Sequence, residues 1–267
     1  MAPAPLARRV ALVTGGTRGF GRAIALRLAA DGNDCAITYR TRAELAREVV
    51  AEIEALGRRA LAVPLALEEP AQVPGAIAKV TETFGRIDVL VANAAATAFR
   101  PMLEQKPHNI EKTLAISVHS FIAAIQEVAP SMAAGGRIVV VSGIDSHQAM
   151  IGHGVLGAAK AAMESLVRIL ALELGPRGIT VNAVSPGLIE TDSSRLYVEK
   201  GLGQAWDAAS ARMIAATPVR RLGTVDDVAS LVAYVASPAA GFLTGQTIIL
   251  DGGLTMVSPF QRIVDAS

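Results

Sequence analysis

Short, continuous apolar runs alternate along this chain with longer segments whose apolar residues recur every three or four positions. The short runs, at 9–13, 35–39, 60–65, 87–92, 137–142, 179–184 and 246–250, read as strands buried on both faces. The longer segments, at 20–30, 43–56, 69–84, 108–132, 155–174 and 225–236, read as helices. Several are closed by residues that stop a helix, among them Gly57, Gly85 and Pro238. Residues 193–216 are more polar and only partly helical in pattern. Strands separated by helices need crossover connections, which predict a parallel sheet covered by helices on both faces. No Pro, Gly or Ser-rich linker divides residues 1–267, so a single α/β domain is expected. The last residues, 259–267, are expected to be loose or to reach a neighbouring subunit.

Charge and composition narrow the function classes. The 25 basic and 24 acidic side chains are mixed throughout, so neither a nucleic-acid surface nor a polybasic membrane surface is expected. No apolar window spans a bilayer without a charge or a turn residue. The N-terminal residues lack the apolar core of a signal peptide. Cys35 is the single cysteine and lies in an apolar run, which predicts a buried structural thiol in a reducing compartment. A cytoplasmic location is the expectation, with no metal site.

Candidate chemistry gathers at two turns. The first strand ends in Thr14-Gly15-Gly16-Thr17-Arg18-Gly19-Phe20-Gly21 and a helix follows at once. Glycines there allow a tight turn and close approach of a pyrophosphate, and the helix N-terminus adds free N–H groups. The second is the stretch 142–160. It leaves a strand, passes His153 among Gly152, Gly154 and Gly157, and enters a helix carrying Lys160. The glycines place the helix start after His153. Seven residues are about two turns, so His153 and Lys160 are expected on one face, roughly 10 Å apart along the axis.

Further marks occur in order. Asn93-Ala94-Ala95 closes the fourth strand, Lys160 follows the fifth, Pro186-Gly187-Leu188-Ile189-Glu190-Thr191 closes the sixth, and Asp251-Gly252-Gly253 the seventh. Together with the glycine turn, these resemble the short-chain dehydrogenase/reductase superfamily over residues 7–256. The resemblance implies a Rossmann-like three-layer sandwich with a seven-stranded parallel sheet, a nicotinamide cofactor, and a homotetramer or homodimer built on the helices at 108–132 and 155–174. It also implies roles. Gly15, Thr17, Arg18, Gly19, Phe20 and Gly21 would hold the pyrophosphate and adenosine ribose, with Leu67 on the adenine side. Asn93 and Ala94 would support the ribose region, and Lys160 would bond the nicotinamide ribose. Pro186, Gly187, Ile189 and Thr191 would flank the carboxamide.

Members selective for NAD place an acid at the end of the second strand. Here Tyr39, Arg40 and Arg42 stand there. A guanidinium fork suits phosphate oxygens, so NADP(H) is expected, with Arg18 as a further phosphate partner. Ala66 stands where the family often has Asp or Asn, so an adenine contact is expected to be missing.

The usual catalytic set is mostly absent. Counting from Lys160, the family's Tyr position holds Leu156, its Ser position Gly143, and its Asn position Ala115. Leu156 offers no proton to a reduced carbonyl oxygen. The type III enoyl-acyl-carrier-protein reductases of the superfamily use Tyr-x6-Lys instead. The stretches at 84–89, 100–102 and 245–253 resemble that group, and His153 fills the Tyr slot. His153 and Lys160 are therefore the candidate catalytic residues, with Gly143, Asp145, Leu156 and Tyr197 around a substrate pocket. A cation at Lys160 disfavours a second positive charge, so His153 is expected to act as a neutral N–H donor.

The resulting expectation is NADPH-dependent reduction of a small apolar enoyl or carbonyl substrate, with an acyl thioester as one candidate form. A mobile substrate lid is placed at about 188–217. The alternatives are a non-redox cyclase or isomerase on the same scaffold, and a cofactor-binding pseudoenzyme subunit.

Overall fold

The computed structural model describes residues 8–96 and 98–258; the tail expectation at 259–267 falls outside them. Seven strands form one sheet: β1 (Val10–Val13), β2 (Asp34–Tyr39), β3 (Ala60–Pro64), β4 (Val89–Ala92), β5 (Arg137–Val141), β6 (Thr180–Pro186) and β7 (Thr247–Leu250). Their order across the sheet is β3-β2-β1-β4-β5-β6-β7, and every pairing is parallel. The nine α-helices described are α1 (Gly19–Ala30), α2 (Ala43–Ala55), α3 (Val73–Phe84), α4 (Pro107–Leu114), α5 (Ser120–Val128), α6 (Gly154–Leu174), α7 (Asp192–Leu196), α8 (Trp206–Ala216) and α9 (Val225–Ala236). This is the expected Rossmann-like three-layer sandwich.

Period-two alternation explains how short apolar runs serve two cores. In β1, Leu12 faces one layer and Val13 the other. Leu12, Leu90 and Ile138 pack with α3, α5 and α6 on one side. Val13, Val91 and Val139 pack with α1, α2 and α9 on the other. The central strands are buried along their whole length because both faces are covered.

Charges at the strand starts are paired rather than stranded. Asp34 is fully buried and accepts from the Arg59 backbone at 3.0 Å and its guanidinium at 2.7 Å. Asp88 accepts from Val10 N–H at 2.9 Å and from Arg86. These pairs tie down the ends opposite the glycine turn.

The expected single helix at 108–132 is broken into pieces. Ala115–His119 widens into a π turn between α4 and α5, and a 3₁₀ turn ends the run at Ala129–Ser131. Two causes are visible. Ser120 Oγ donates to the Ile116 carbonyl, a side-chain bond that competes with the helical ladder. Pro130 has no N–H to continue it. The Pro107–Ser131 run is long and apolar enough to cross a membrane, but half of its most apolar window is buried in the protein.

Cys35 lies fully buried in β2, and burial pushes its thiol up to about 12. The folded protein is therefore expected to resist a thiol-reactive disulfide reagent at mildly alkaline pH. Denaturant should release one equivalent of reactive thiol. Rapid labelling of the native protein would contradict the assignment.

Candidate active site

The glycine turn is held from two sides. Gly15 N–H donates to Thr38 Oγ1 at 3.1 Å and Gly16 N–H to the Thr38 carbonyl at 3.0 Å, which staples the turn to β2. Thr14 Oγ1 accepts from the N–H groups of Asn93 at 3.0 Å and Ala94 at 3.1 Å, while Asn93 Nδ2 donates to the Thr14 carbonyl at 2.9 Å. A Cβ on Gly21 would lie 2.2 Å from the Gly15 carbonyl oxygen and 2.6 Å from Asn93 Nδ2, so only glycine lets α1 come this close. Gly19 has φ of 52° and open space where a side chain would project. Arg18 at the α1 N-cap position makes no side-chain cap, which leaves the first helical N–H groups to an anion. Thr17 and Phe20 are partly exposed beside it. The residues present fit a dinucleotide pyrophosphate.

The phosphate-selecting residues stand at the neighbouring strand end. Tyr39 closes β2, Arg42 is exposed at the start of α2, and Leu67 is buried. Arg40 is already engaged, with Nη2 2.6 Å from Glu68 Oε1. A negatively charged ligand at Arg40 therefore has Glu68 as competitor, a feature absent from the sequence reading. On the far side of the crevice Gly187 N–H donates to the Leu250 carbonyl at 2.9 Å, extending the pairing from Pro186. Ile189 is buried and bridges to Gly223. Thr191 caps α7 in a reciprocal box with Ser194, so its hydroxyl is already bonded within the chain.

The stretch 142–160 supplies the rest. Lys160 is fully buried in α6 and its Nζ donates to the Val141 carbonyl at 2.6 Å. Burial lowers its pKa to about 8, opposed by the carboxylates of Asp145 and Glu164. Leu156 is half-buried one turn earlier, and Ala115 sits in the π turn; neither carries a polar side-chain atom.

Gly143 carries no side chain, and the space is used. A Cβ there would lie 2.6 Å from Asp145 Oδ1. One on Gly157 would lie 2.3 Å from the Asp145 carbonyl oxygen. These two glycines let the single 3₁₀ turn Ile144–Ser146 lie directly on α6. Asp145 Oδ2 then stands 3.1 Å from His153 Nδ1. His153 occupies the N-cap position of α6, outside the helix proper. Its ring meets Tyr197 edge-on at 4.4 Å and Phe99 at 4.9 Å. Tyr197 is held in turn by its hydroxyl, which donates to the Ile151 carbonyl at 2.7 Å; burial raises its pKa. His153 Nε2 is buried and has no hydrogen-bond partner among the described residues.

This geometry corrects the form expected for the histidine. With Nδ1 facing a carboxylate, a neutral ring keeps its proton on Nδ1 and Nε2 can only accept. Donation from Nε2 requires the protonated ring, so a neutral N–H donor does not fit.

Glu164, unremarked in the sequence, proves central. It is buried one turn beyond Lys160 and accepts from Ser142 Oγ and from Ser146 Oγ at 2.7 Å, with His147 Nε2 at 3.0 Å. The Ser142 hydroxyl is thereby spent on Glu164. Glu164 reads as an ordinary polar position on a helix. Its spacing of four from Lys160 was the available signal.

With the site described, its likeness to known proteins can be placed. A family model for Enoyl-(Acyl carrier protein) reductase matches residues 15–255. The chain is 38% identical to 1-cyclohexenylcarbonyl-CoA reductase of Streptomyces collinus, over 94% of this chain and 89% of that protein. A short chain dehydrogenase from Burkholderia cenocepacia, crystallised with NADP, superposes with TM-score 0.85 at 40% identity, covering 93% of this chain and 98% of that one. A blue fluorescent protein from a metagenomic library, crystallised with NADPH, superposes equally well at 37% identity, covering 92% and 97%.

The buried amine makes a signed prediction. Between about pH 8 and about 10.5 the unfolded chain binds a proton at Lys160 that the folded protein does not. Unfolding free energy from this group therefore rises with pH across that window and is flat below it. Relative to a Lys160→Met variant, the wild-type melting temperature should climb from the lower to the upper pH. A constant difference would refute the shift.

Proposed function

The chain belongs to the Enoyl-(Acyl carrier protein) reductase family of short-chain dehydrogenases/reductases, and on that premise we propose that it uses NADPH to reduce the C=C bond of a small apolar enoyl thioester. The observation that carries this reading is His153 Nε2, buried without a hydrogen-bond partner among the described residues, on the loop that leads into the helix of Lys160. NADP(H) is the cofactor, and bound NADPH supplies the hydride.

The chain's residues would then divide the work. The N–H groups after Arg18 and the glycines at 15, 19 and 21 hold the pyrophosphate. Arg40 and Arg42, with Arg18, take the 2′-phosphate, and no acid stands at Tyr39 to repel it. Lys160 bonds the nicotinamide ribose, supported by the Val141 carbonyl. Protonated His153 gives its Nε2 proton to the reduced substrate and is recharged from solvent. Residues 188–217 act as the lid: Tyr197, Val198, Trp206 and Ala209 form a small core of their own, packed on Phe99 and Met150. The exposed side chains of Met102, Leu103, Ile151 and Leu196 lie on these same segments and suit an apolar acyl group. The relative's printed name, a reductase of a cyclohexenyl thioester, points the same way. A homotetramer or homodimer would cover Ile122, Ile169 and Leu172 on α5 and α6.

The test is loss of NADPH absorbance with a series of enoyl thioesters against a series of ketones. Turnover of the thioesters with NADPH is expected, with NADH far poorer. His153→Phe should lower kcat by about 10² to 10⁴. Arg40→Ala should raise KM for NADPH by about tenfold and leave the NADH reaction unchanged. Reduction of ketones alone would overturn the C=C assignment. No oxidation with either class, alongside tight NADP(H) binding, would favour a non-redox enzyme.

A further inference from the structure

The geometry points to Asp145 as the positioning residue of the proton donor: its carboxylate, admitted by Gly143 and Gly157, holds the Nδ1 proton of His153 and leaves Nε2 to the substrate. This inference rests on His153 acting as the donor.

Three observations carry it. First, Asp145 is not simply near the histidine but seated in the volume that a side chain at 143 would fill, 2.6 Å from its ideal Cβ. A side chain at 143 would therefore press on Oδ1 and turn the carboxylate from its present place. Second, the backbone of Asp145 lies against Gly157, where a Cβ would stand 2.3 Å from its carbonyl oxygen. Main chain meets main chain there, so packing sets the backbone from which the carboxylate projects. Third, the two ring nitrogens of His153 are treated differently. Nδ1 faces Asp145 Oδ2 at 3.1 Å, while Nε2 is buried with no partner among the described residues. Phe99 and Tyr197 close on the ring from two sides and oppose its rotation.

The proton step balances. Hydride addition at the β-carbon breaks the C=C π bond and places the electron pair on the thioester as an enolate. The Nε2–H bond of the protonated ring breaks and its proton goes to the enolate. His153 is left neutral with its proton on Nδ1, bonded to Asp145. Solvent returns one proton to Nε2 after product leaves. Asp145 favours the protonated ring before the step and the Nδ1–H tautomer after it.

The charged and titratable groups facing this pair are Lys160 and Glu164 on α6, His147 in the same loop and bonded to Glu164, and Tyr197. Asp145→Asn removes the single carboxylate in contact with the ring and leaves Lys160 unopposed on that side. With an amide in place of the carboxylate, the neutral ring should lose its preference for the Nδ1–H tautomer.

Nitrogen NMR of the imidazoles in the full chain, with His153 assigned by its loss in His153→Phe, reads this without substrate. Wild-type His153 should carry its proton on Nδ1 across the titration, and Asp145→Asn should not. In steady state Asp145→Asn should lower kcat about 10²-fold with KM for the thioester little changed. Asp145→Glu should recover part of the tautomer preference. Gly143→Ala, which displaces Asp145, should reproduce the loss, and the double variant should be no worse than either single one. An Nε2–H ring in the wild type, or a spectrum unchanged by Asp145→Asn, would overturn the role. If no thioester is turned over, the reaction assignment fails while the NMR result still decides the pairing.

Discussion

Thr14 and Asn93 join the sheet where its growth reverses direction. The order runs outward from β1 through β2 and β3, and outward from β4 through β5 to β7. The connection after β1 therefore leaves on one face and that after β4 on the other, and a crevice opens between them. Backbone groups at the floor of such a crevice lose their strand partners. Thr14 Oγ1 satisfies two N–H groups, and the Asn93 amide returns a bond to the Thr14 carbonyl. The same amide stands 2.6 Å from where a Cβ on Gly21 would lie, so this tie also dictates how closely α1 can approach. An uncapped helix N-terminus then faces the crevice, which is why the cofactor site belongs to the fold rather than to any one loop.

The reacting side of the crevice obeys a different logic, one of vacated volume. Gly143 and Leu156 carry no hydroxyl, and Asp145 Oδ1 lies in the space that a side chain at 143 would enter. The change is from neutral donors to charges. Asp145, Glu164 and Lys160 lie within one buried patch, and two carboxylates against one amine leave it negative. The lowered pKa of Lys160, about 8, follows from burial even with both acids opposing it. The ring of His153 has its own carboxylate in contact, at 3.1 Å.

Much of this could be read before any coordinates, for physical reasons that differ by element. Strands buried on both faces leave unbroken apolar runs, so all seven were visible. The glycine turn was visible because a tight turn at a helix start admits few other residues. The π turn at Ala115–His119 was not, since it depends on a hydroxyl choosing the carbonyl of Ile116. The Arg40–Glu68 pair joins the ends of two different strands, and nothing in either segment names the other. Asp145 and His153 are eight residues apart across an irregular loop, where no period relates them. The trace they did leave was indirect: glycines at 143 and 157, where no turn alone requires them.

The placement of His153 bears on which bond is reduced. As proposed, it serves in place of the phenol that the family carries at the position of Leu156, but from the N-cap of α6, outside the helix. In carbonyl reduction the atom that takes the proton is bonded to the carbon that takes the hydride, about 1.2 Å away. In conjugate reduction hydride goes to the β-carbon, and the enolate oxygen lies three bonds further on, roughly 3 to 4 Å away. A proton donor at His153, as proposed, works only if it is held still, and loops are ordinarily the mobile part of a fold. Here Glu164 pins Ser142 and Ser146, and Gly157 seats the backbone of Asp145 between them. The loop is anchored at three points within five residues, and Asp145, one of the three, is the residue in contact with His153.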